Sequence, residues 1–592
     1  MRTLFFLCAF LFSGVANAQY DAKELSRLLQ AWGTSNPTYD LNGNGTVGPE
    51  DLAIFLGEDD YADVGNGFMA ETPQPPAIGT SSDWAFDAKA IARWTTVPRS
   101  EYTSIFSVGV VAFHVNGINR VDFSVNGGEW KSVYESKFNP ENNVEEYFVQ
   151  IDPLDHADGV IEIRAIAYPN IGIPRVLQGN LTNNGPTHPN QSQYLQGNHG
   201  MLVILNGYGT LPHFASYISP NGNDTTGDGS QVNPFNTMGR ALKHFKTNYG
   251  KADGGTIYLM EGLHQITVGM YGNHGCQTFE RYLTVRPAPG LTKNQVRIYG
   301  SPAGGLRINF LKVEDVIFYS DSTRTSTSFR NGSNNSSYFW ANGCHAVYEA
   351  YNPDGTWAEP AHGGGFANGN ANSGSFSAVH ITNCSSFNTR GNVRSAQLVI
   401  NYYCERAGDT PFSAFSLTVN AQAYNPVRIG EDHLDGWHWF GTSGSAIRRE
   451  NHIMYNIFMR NFWGQGMMYE YFSPGTEQFD DVALVNIDIE QNVNTVAGGW
   501  WEMDTNHLLI KNVRQADQVL RFKRPTWATS NPRLRLKNVL IDNYCGSLAD
   551  YGDTQPVAGS PEYLTEPNVR VINWTPICPI DCLNIPYPCD QE

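Results

Sequence analysis

The second half of the chain repeats itself. Short β-prone runs, "VEDVIFYS", "SAVHITNCSSF", "AQLVINYYCE", "NHIMYNIFMRNF", "DVALVNIDIEQN", "NHLLIKNVRQ" and "LRLKNVLIDNYC", return every roughly 20 to 30 residues, a period that belongs to stacked repeats. Asparagine returns with them, at Asn383, Asn401, Asn456, Asn486, Asn512 and Asn538. One such run cannot bury its apolar face alone, so recurrence at one rung per coil predicts a solenoid in which each rung covers the next. Asparagine at a repeated turn can form a ladder of side-chain hydrogen bonds along the stack.

Composition agrees with a mainly β chain. With 592 residues it is too long for one ordinary core, and 58 glycines with only 16% charged residues favour strands and turns over helical bundles. The net charge of -18 argues against a nucleic-acid partner, which would need a basic face. The opening "MRTLFFLCAFLFSGVANAQY" has an early Arg, a short apolar run and a small-residue A-x-A motif ending at Ala18. It predicts a signal peptide over 1–18 and a secreted or cell-surface protein. The run is too short to span a membrane.

Loss of Cys8 with that signal takes nine cysteines to eight, an even number suited to an oxidising compartment. Cys578, Cys582 and Cys589 crowd the end and predict a stapled tail over 549–592, with Cys545 as a candidate fourth member. Cys276, Cys344, Cys384 and Cys404 can either pair or stack as small buried residues.

Residues 19–58 combine a helical pattern, "DAKELSRLLQAWG", with "DLNGNGTVGPEDLAIFLG". Asp40, Asn42, Asn44, Thr46 and Asp51 fall at positions 1, 3, 5, 7 and 12 of a calcium loop, with Gly45 at the sharp turn. The segment resembles a dockerin repeat, an EF-hand-like module. A dockerin has two calcium loops and this chain shows one, so the resemblance implies a structural Ca2+ site more strongly than a cohesin-like or cell-surface partner. Residues 59–83 are rich in Pro, Gly and Ser and read as a linker. Across 84–211, alternating runs split by Asn-Gly, Gly-Gly and Asp-Gly turns predict a β-sandwich; the segment resembles a bacterial immunoglobulin-like module.

The stretch "YISPNGNDTTGDGSQVNPFNTMGRALKHF" with "GGTIYLMEGLHQI" follows. It resembles the opening of right-handed parallel β-helix proteins of the pectate-lyase-like group, including polysaccharide lyase family 9, where a helix caps the coil. The resemblance implies that fold over 212–548. Family 9 carries an Asp-Asp-Gly-Trp-Asp stretch whose carboxylates hold calcium. In "VRIGEDHLDGWHWFG" Asp435, Gly436 and Trp437 match it, while Leu434 and His438 stand where the family has Asp. The family's base is a lysine, yet none occurs between Lys312 and Lys511.

A base near neutral pKa and a positive group for the developing enolate are the requirements of β-elimination. His433 or His438 can supply the first, and Arg448, Arg449 or Arg460 the second. Asp409, Asp432, Asp435 and Glu450 are alternatively the carboxylates of a hydrolase. Trp437, Trp439, Trp463, Trp500, Trp501, Tyr469 and Tyr471 are candidate sugar-stacking residues, or core. Arg521, Lys523 and Arg524 form a nearby basic cluster. The reading is an enzyme cleaving an extracellular, uronate-containing polysaccharide, with elimination favoured over hydrolysis. The alternative is a non-catalytic glycan-binding adhesin or surface or virion fibre.

Overall fold

The computed structural model describes residues 84–177, 200–249, 253–266, 278–300, 309–324, 339–359, 366, 379–390, 393–394, 396–408, 410–413, 417–427, 436–440, 449–462, 466–470, 479–491, 499–522, 534–549 and 568–575. The chain divides into two units, Met1–Met69 and Ala70–Glu592, and every described residue belongs to the second. The predicted signal, calcium loop and linker lie outside the described residues. No helix among the described residues is long and apolar enough to cross a membrane.

Alternating apolar residues build the first domain as two sheets. Phe106–Phe113 pairs antiparallel with Ile91–Trp94 and with Val144–Ile151, and Lys137–Asn139 completes four strands. The other sheet runs Glu101–Tyr102, Met201–Leu205, Gly159–Pro169, Ile118–Val125 and Trp130–Val133, with Arg175–Leu177 also on Gly159–Pro169. The turn after Ile118–Val125 places Asn126 and Gly127 at φ 50° and 76°, the left-handed pair that a tight hairpin requires. Trp94 of one sheet meets Phe123 of the other at 6.3 Å between ring centroids, both buried, so the apolar faces close on each other.

From His213–Ile218 to Val569–Ile572 the chain forms one 22-stranded sheet wound into a parallel β-helix. Leu417–Tyr424, for example, sets Val419 beside Ile400 of the preceding coil and Tyr455 of the next. Its Leu417, Val419, Ala421 and Ala423 are at most 1% exposed and fill the coil. Between Val419 and Ala421 the strand bends at Asn420, with φ 53°. Asparagine tolerates that left-handed geometry better than other side chains, and the corner recurs at Asn383, Asn401, Asn456, Asn486, Asn512 and Asn543.

Each of these amides donates to the one a coil earlier. Asn401 bonds Asn383 at 2.9 Å, Asn420 bonds Asn401 at 3.0 Å, and the series continues to Asn543 on Asn512 at 2.9 Å. Asn538, expected in the same ladder, instead stacks on Asn506 at 2.9 Å at another corner. Cys344, Cys384 and Cys404 are buried free thiols, which decides for stacking over pairing at these three. Cys545 is disulfide-bonded; Cys276 and the tail cysteines lie outside the described residues.

The sandwich is docked along the solenoid. Asn451, Asp481, His507 and Asn538 fill another left-handed corner on successive coils, φ 55° to 71°, and that column meets the sandwich. Asn451 exchanges two 2.8 Å bonds with the backbone of Ala92. Arg175 reaches Asp481 at 2.5 Å, and His507 donates to the same carboxylate at 3.0 Å while its other nitrogen accepts from Val115 N–H at 3.3 Å. Asn142 and Asn143 carbonyls accept from the ladder amides of Asn401 and Asn420.

At the N-terminal end, residues 219–236 bond along the outer edge of His213–Ile218: Tyr217 N–H to Gly229 O, and Phe235 N–H to Tyr217 O. The helix Met238–Asn248, capped by the Thr237 hydroxyl accepting from Arg240 N–H at 3.2 Å, buries Ala241 and Phe245 against the first rungs.

Candidate functional site

Each coil in the second half carries a strand that follows the ladder strand, and Trp437–Phe440, Met467–Glu470 and Gly499–Trp501 are three of these, stacked in parallel. Their alternation separates the predicted aromatic residues. Trp437, Tyr469 and Trp501 are fully buried in the coil, Tyr469 and Trp501 with ring centroids 4.3 Å apart. They are core, and the expectation that they stack on sugar is corrected: a side chain inside the coil presents no face to a ligand. Burial keeps the Tyr469 phenol well above its ordinary range.

His438 takes the opposite phase from Trp437. It is 6% exposed, and register places it between Ser413 and Met468, with Trp500 and Arg521 at the next two positions of the same column. Parallel rungs are about 4.8 Å apart, which sets the spacing of this column. Arg521 is half-buried, which lowers its pKa from the ordinary guanidinium value. Residues 428–435, which hold Asp432, His433 and Asp435, immediately precede this strand in sequence but lie outside the described residues.

Asp409, Arg448, Trp463, Tyr471 and Lys523 lie outside them too, as do Asp40, Asn42, Asn44, Thr46 and Asp51. Arg449 and Trp439 are placed by their backbones, opposite Phe479 and Tyr469 respectively. Glu450 stands at the sandwich, 4.0 Å from Arg175.

Arg460 belongs to a different strand of the coil, Arg449–Phe462, and does not share a column with His438. It bonds Asp488 at 2.6 Å, and Arg514 grips the same carboxylate at 2.7 Å. Burial pushes the Asp488 carboxyl up, but the hydrogen bonds and charges of the two guanidiniums outweigh it and hold the group below the ordinary carboxylate range. Asp488 and Arg514 were not singled out from sequence. A signal for them existed: positions two and four beyond each ladder Asn face away from the core, and those positions hold Tyr403 and Glu405, Gln422 and Tyr424, Phe458 and Arg460, and Asp488 and Glu490. Among the described residues no group of three or more His, Cys, Asp or Glu is placed to hold a metal ion.

No protein-family model matches the chain, and no curated protein matches it. Solved structures that align with it include a mannuronic acid specific polysaccharide family 6 lyase enzyme from human gut microbiota, 15% identical over 62% of this chain and 83% of that one, TM-score 0.26. The mannuronan C-5 epimerase A-module of Azotobacter vinelandii aligns at 13% identity over 55% of this chain and 87% of that one, TM-score 0.26. A family 136 lacto-N-biosidase from Eubacterium ramulus aligns at 9% identity over 56% and 68%, TM-score 0.22. Alignments this loose carry no argument about substrate or reaction, and the β-helix rests on its own strand pairings.

Proposed function

We propose that the chain is a secreted carbohydrate-active enzyme that cleaves a uronate-containing polysaccharide, by β-elimination in preference to hydrolysis. The observation that supports this most is His438: an imidazole on the phase opposite the coil's core, in a column that continues to Arg521, and a few residues after Asp432, His433 and Asp435 in sequence. In this reading His438 or His433 removes the proton next to the uronate carboxyl. The electron pair forms the C4–C5 double bond, the C4–O glycosidic bond breaks, and the departing oxygen takes a proton. Arg521 and the arginines at 448 and 449 balance the charge that builds on the carboxyl group. Arg460, already bound to Asp488, is a weaker candidate for that role. Calcium, held by Asp40, Asn42, Asn44, Thr46 and Asp51, is proposed as structural.

The test is a screen of the mature protein against pectate, alginate, other uronate polymers and neutral glycans, with and without calcium. Unsaturated products are followed by ultraviolet absorbance and reducing ends in parallel. Both signals are expected to rise on one uronate polymer and to fall about a hundredfold or more in whichever of His438→Ala and His433→Ala removes the base. Reducing ends alone would turn the reading to the carboxylates and hydrolysis. Silence on every polymer would sink it.

A further inference from the structure

The strands Leu398–Glu405 and Leu417–Tyr424 carry a second feature, away from the column through His438. Tyr403 and Tyr424 lie on successive coils with ring centroids 5.6 Å apart and planes 31° from parallel. Tyr403 is 40% exposed. Its hydroxyl donates to Glu405 at 3.0 Å, and that of Tyr424 donates to Gln422 at 3.4 Å. One rung earlier Phe387 stands beside Glu405 and continues the strip, with Trp357 edge-on to it at 4.8 Å.

We propose that this outer face is a binding site for an uncharged glycan chain, separate from the cleavage site. A pyranose ring offers an apolar C–H face and a rim of hydroxyls, and it is met by a flat aromatic ring with polar groups at its edge. Register sets Tyr403 beside Gln422 and Glu405 beside Tyr424, so on successive coils each ring, 5.6 Å from the other, has a polar group at its edge. Burial, with the bond to Glu405, pushes the Tyr403 phenol up to about 12, so it keeps its proton and both its donor and acceptor capacity.

Charge decides the class of glycan. Along the strip Glu405, Asp488 and Glu490 stand against Arg460 and Arg514, and Asp488 and Glu490 already hold both guanidiniums. With both guanidiniums of the described strip already paired, the face offers a sugar carboxylate no spare cation, and it suits an uncharged glycan. The inference goes beyond the uronate reading: it gives the natural polymer neutral segments, or this protein a neutral surface to hold.

Affinity electrophoresis of the full chain through gels containing xylan, mannan, galactan or a soluble cellulose derivative tests this, at low and high salt. Retention by at least one polymer is expected, little changed by salt. Tyr403→Ala with Tyr424→Ala should weaken it by about tenfold per ring, whereas Tyr403→Phe keeps the ring and most of the affinity. Far-ultraviolet circular dichroism checks that the double variant is folded. His438→Ala should bind neutral polymer as the parent does, so a failed cleavage assay leaves this result readable. Retention unchanged in the folded double variant overturns the proposal. So does the absence of retention by any neutral polymer, and so does retention by uronates alone that salt abolishes.

Discussion

At the scale of single residues, Asp488 is the most tightly held charge on the outer face, 1% exposed between Arg460 and Arg514. Removing one partner of a buried ionic cluster strands the others, so Asp488→Ala is expected to cost about 3 to 5 kcal/mol in urea unfolding. Its acid response follows from the direction of its shift. The folded carboxyl titrates below the ordinary value of 3.8, so its contribution is fully present above that value and is lost as pH falls through the folded pKa. The parent should therefore lose more stability than Asp488→Asn between neutral pH and about pH 3, and equal losses in the two would contradict the arrangement. Replacement by Asn leaves the cluster weaker at neutral pH but without that acid-sensitive part.

At the scale of the element, the asparagine corner is the repeating unit. Asn456 donates to Asn420 at 3.0 Å and accepts from Asn486 at 2.9 Å, at φ 57°. Both Asn456→Ala and Asn456→Gly break the ladder, but only alanine also suffers the left-handed backbone. Alanine should cost about 1 to 2 kcal/mol more than glycine in chemical denaturation. The ladder was legible because its period in sequence is its period in space. Asn538 was misread because two corners of the coil both favour asparagine, and only strand register tells them apart. Trp437, Tyr469 and Trp501 looked like sugar platforms because composition does not say which side of a strand is inside. Counting outward from each ladder Asn fixes that phase for the ladder strand, and would have exposed Asp488, Arg514 and the Tyr403–Tyr424 pair. It does not reach Asp409, Asp432, His433 or Asp435, which lie outside the described residues.

At the scale of the whole molecule, the sandwich and solenoid share contacts that Glu146 helps to hold. Glu146 is buried in Val144–Ile151 and receives bonds from Thr95, Asn139 and Asn142, the last of which presents its carbonyl to the ladder at Asn401. Burial, only partly offset by those bonds, pushes its carboxyl up to about 7 from 4.5. A raised folded pKa contributes stability fully present below the unfolded value and lost as pH climbs through the folded one. The sandwich should thus weaken between about pH 4.5 and 7, by roughly 3 kcal/mol, and Glu146→Gln should flatten that slope in calorimetry across the same range. The N-terminal end of the solenoid has a consequence of another kind. A parallel coil has no intrinsic last rung, since every strand offers the next the same row of donors and acceptors. The segment 219–236 occupies that row at Tyr217 and Ser219, and the helix Met238–Asn248 packs beside it. That stretch of the row is thereby closed to a strand from another molecule, which limits how the tip of one solenoid can extend the next.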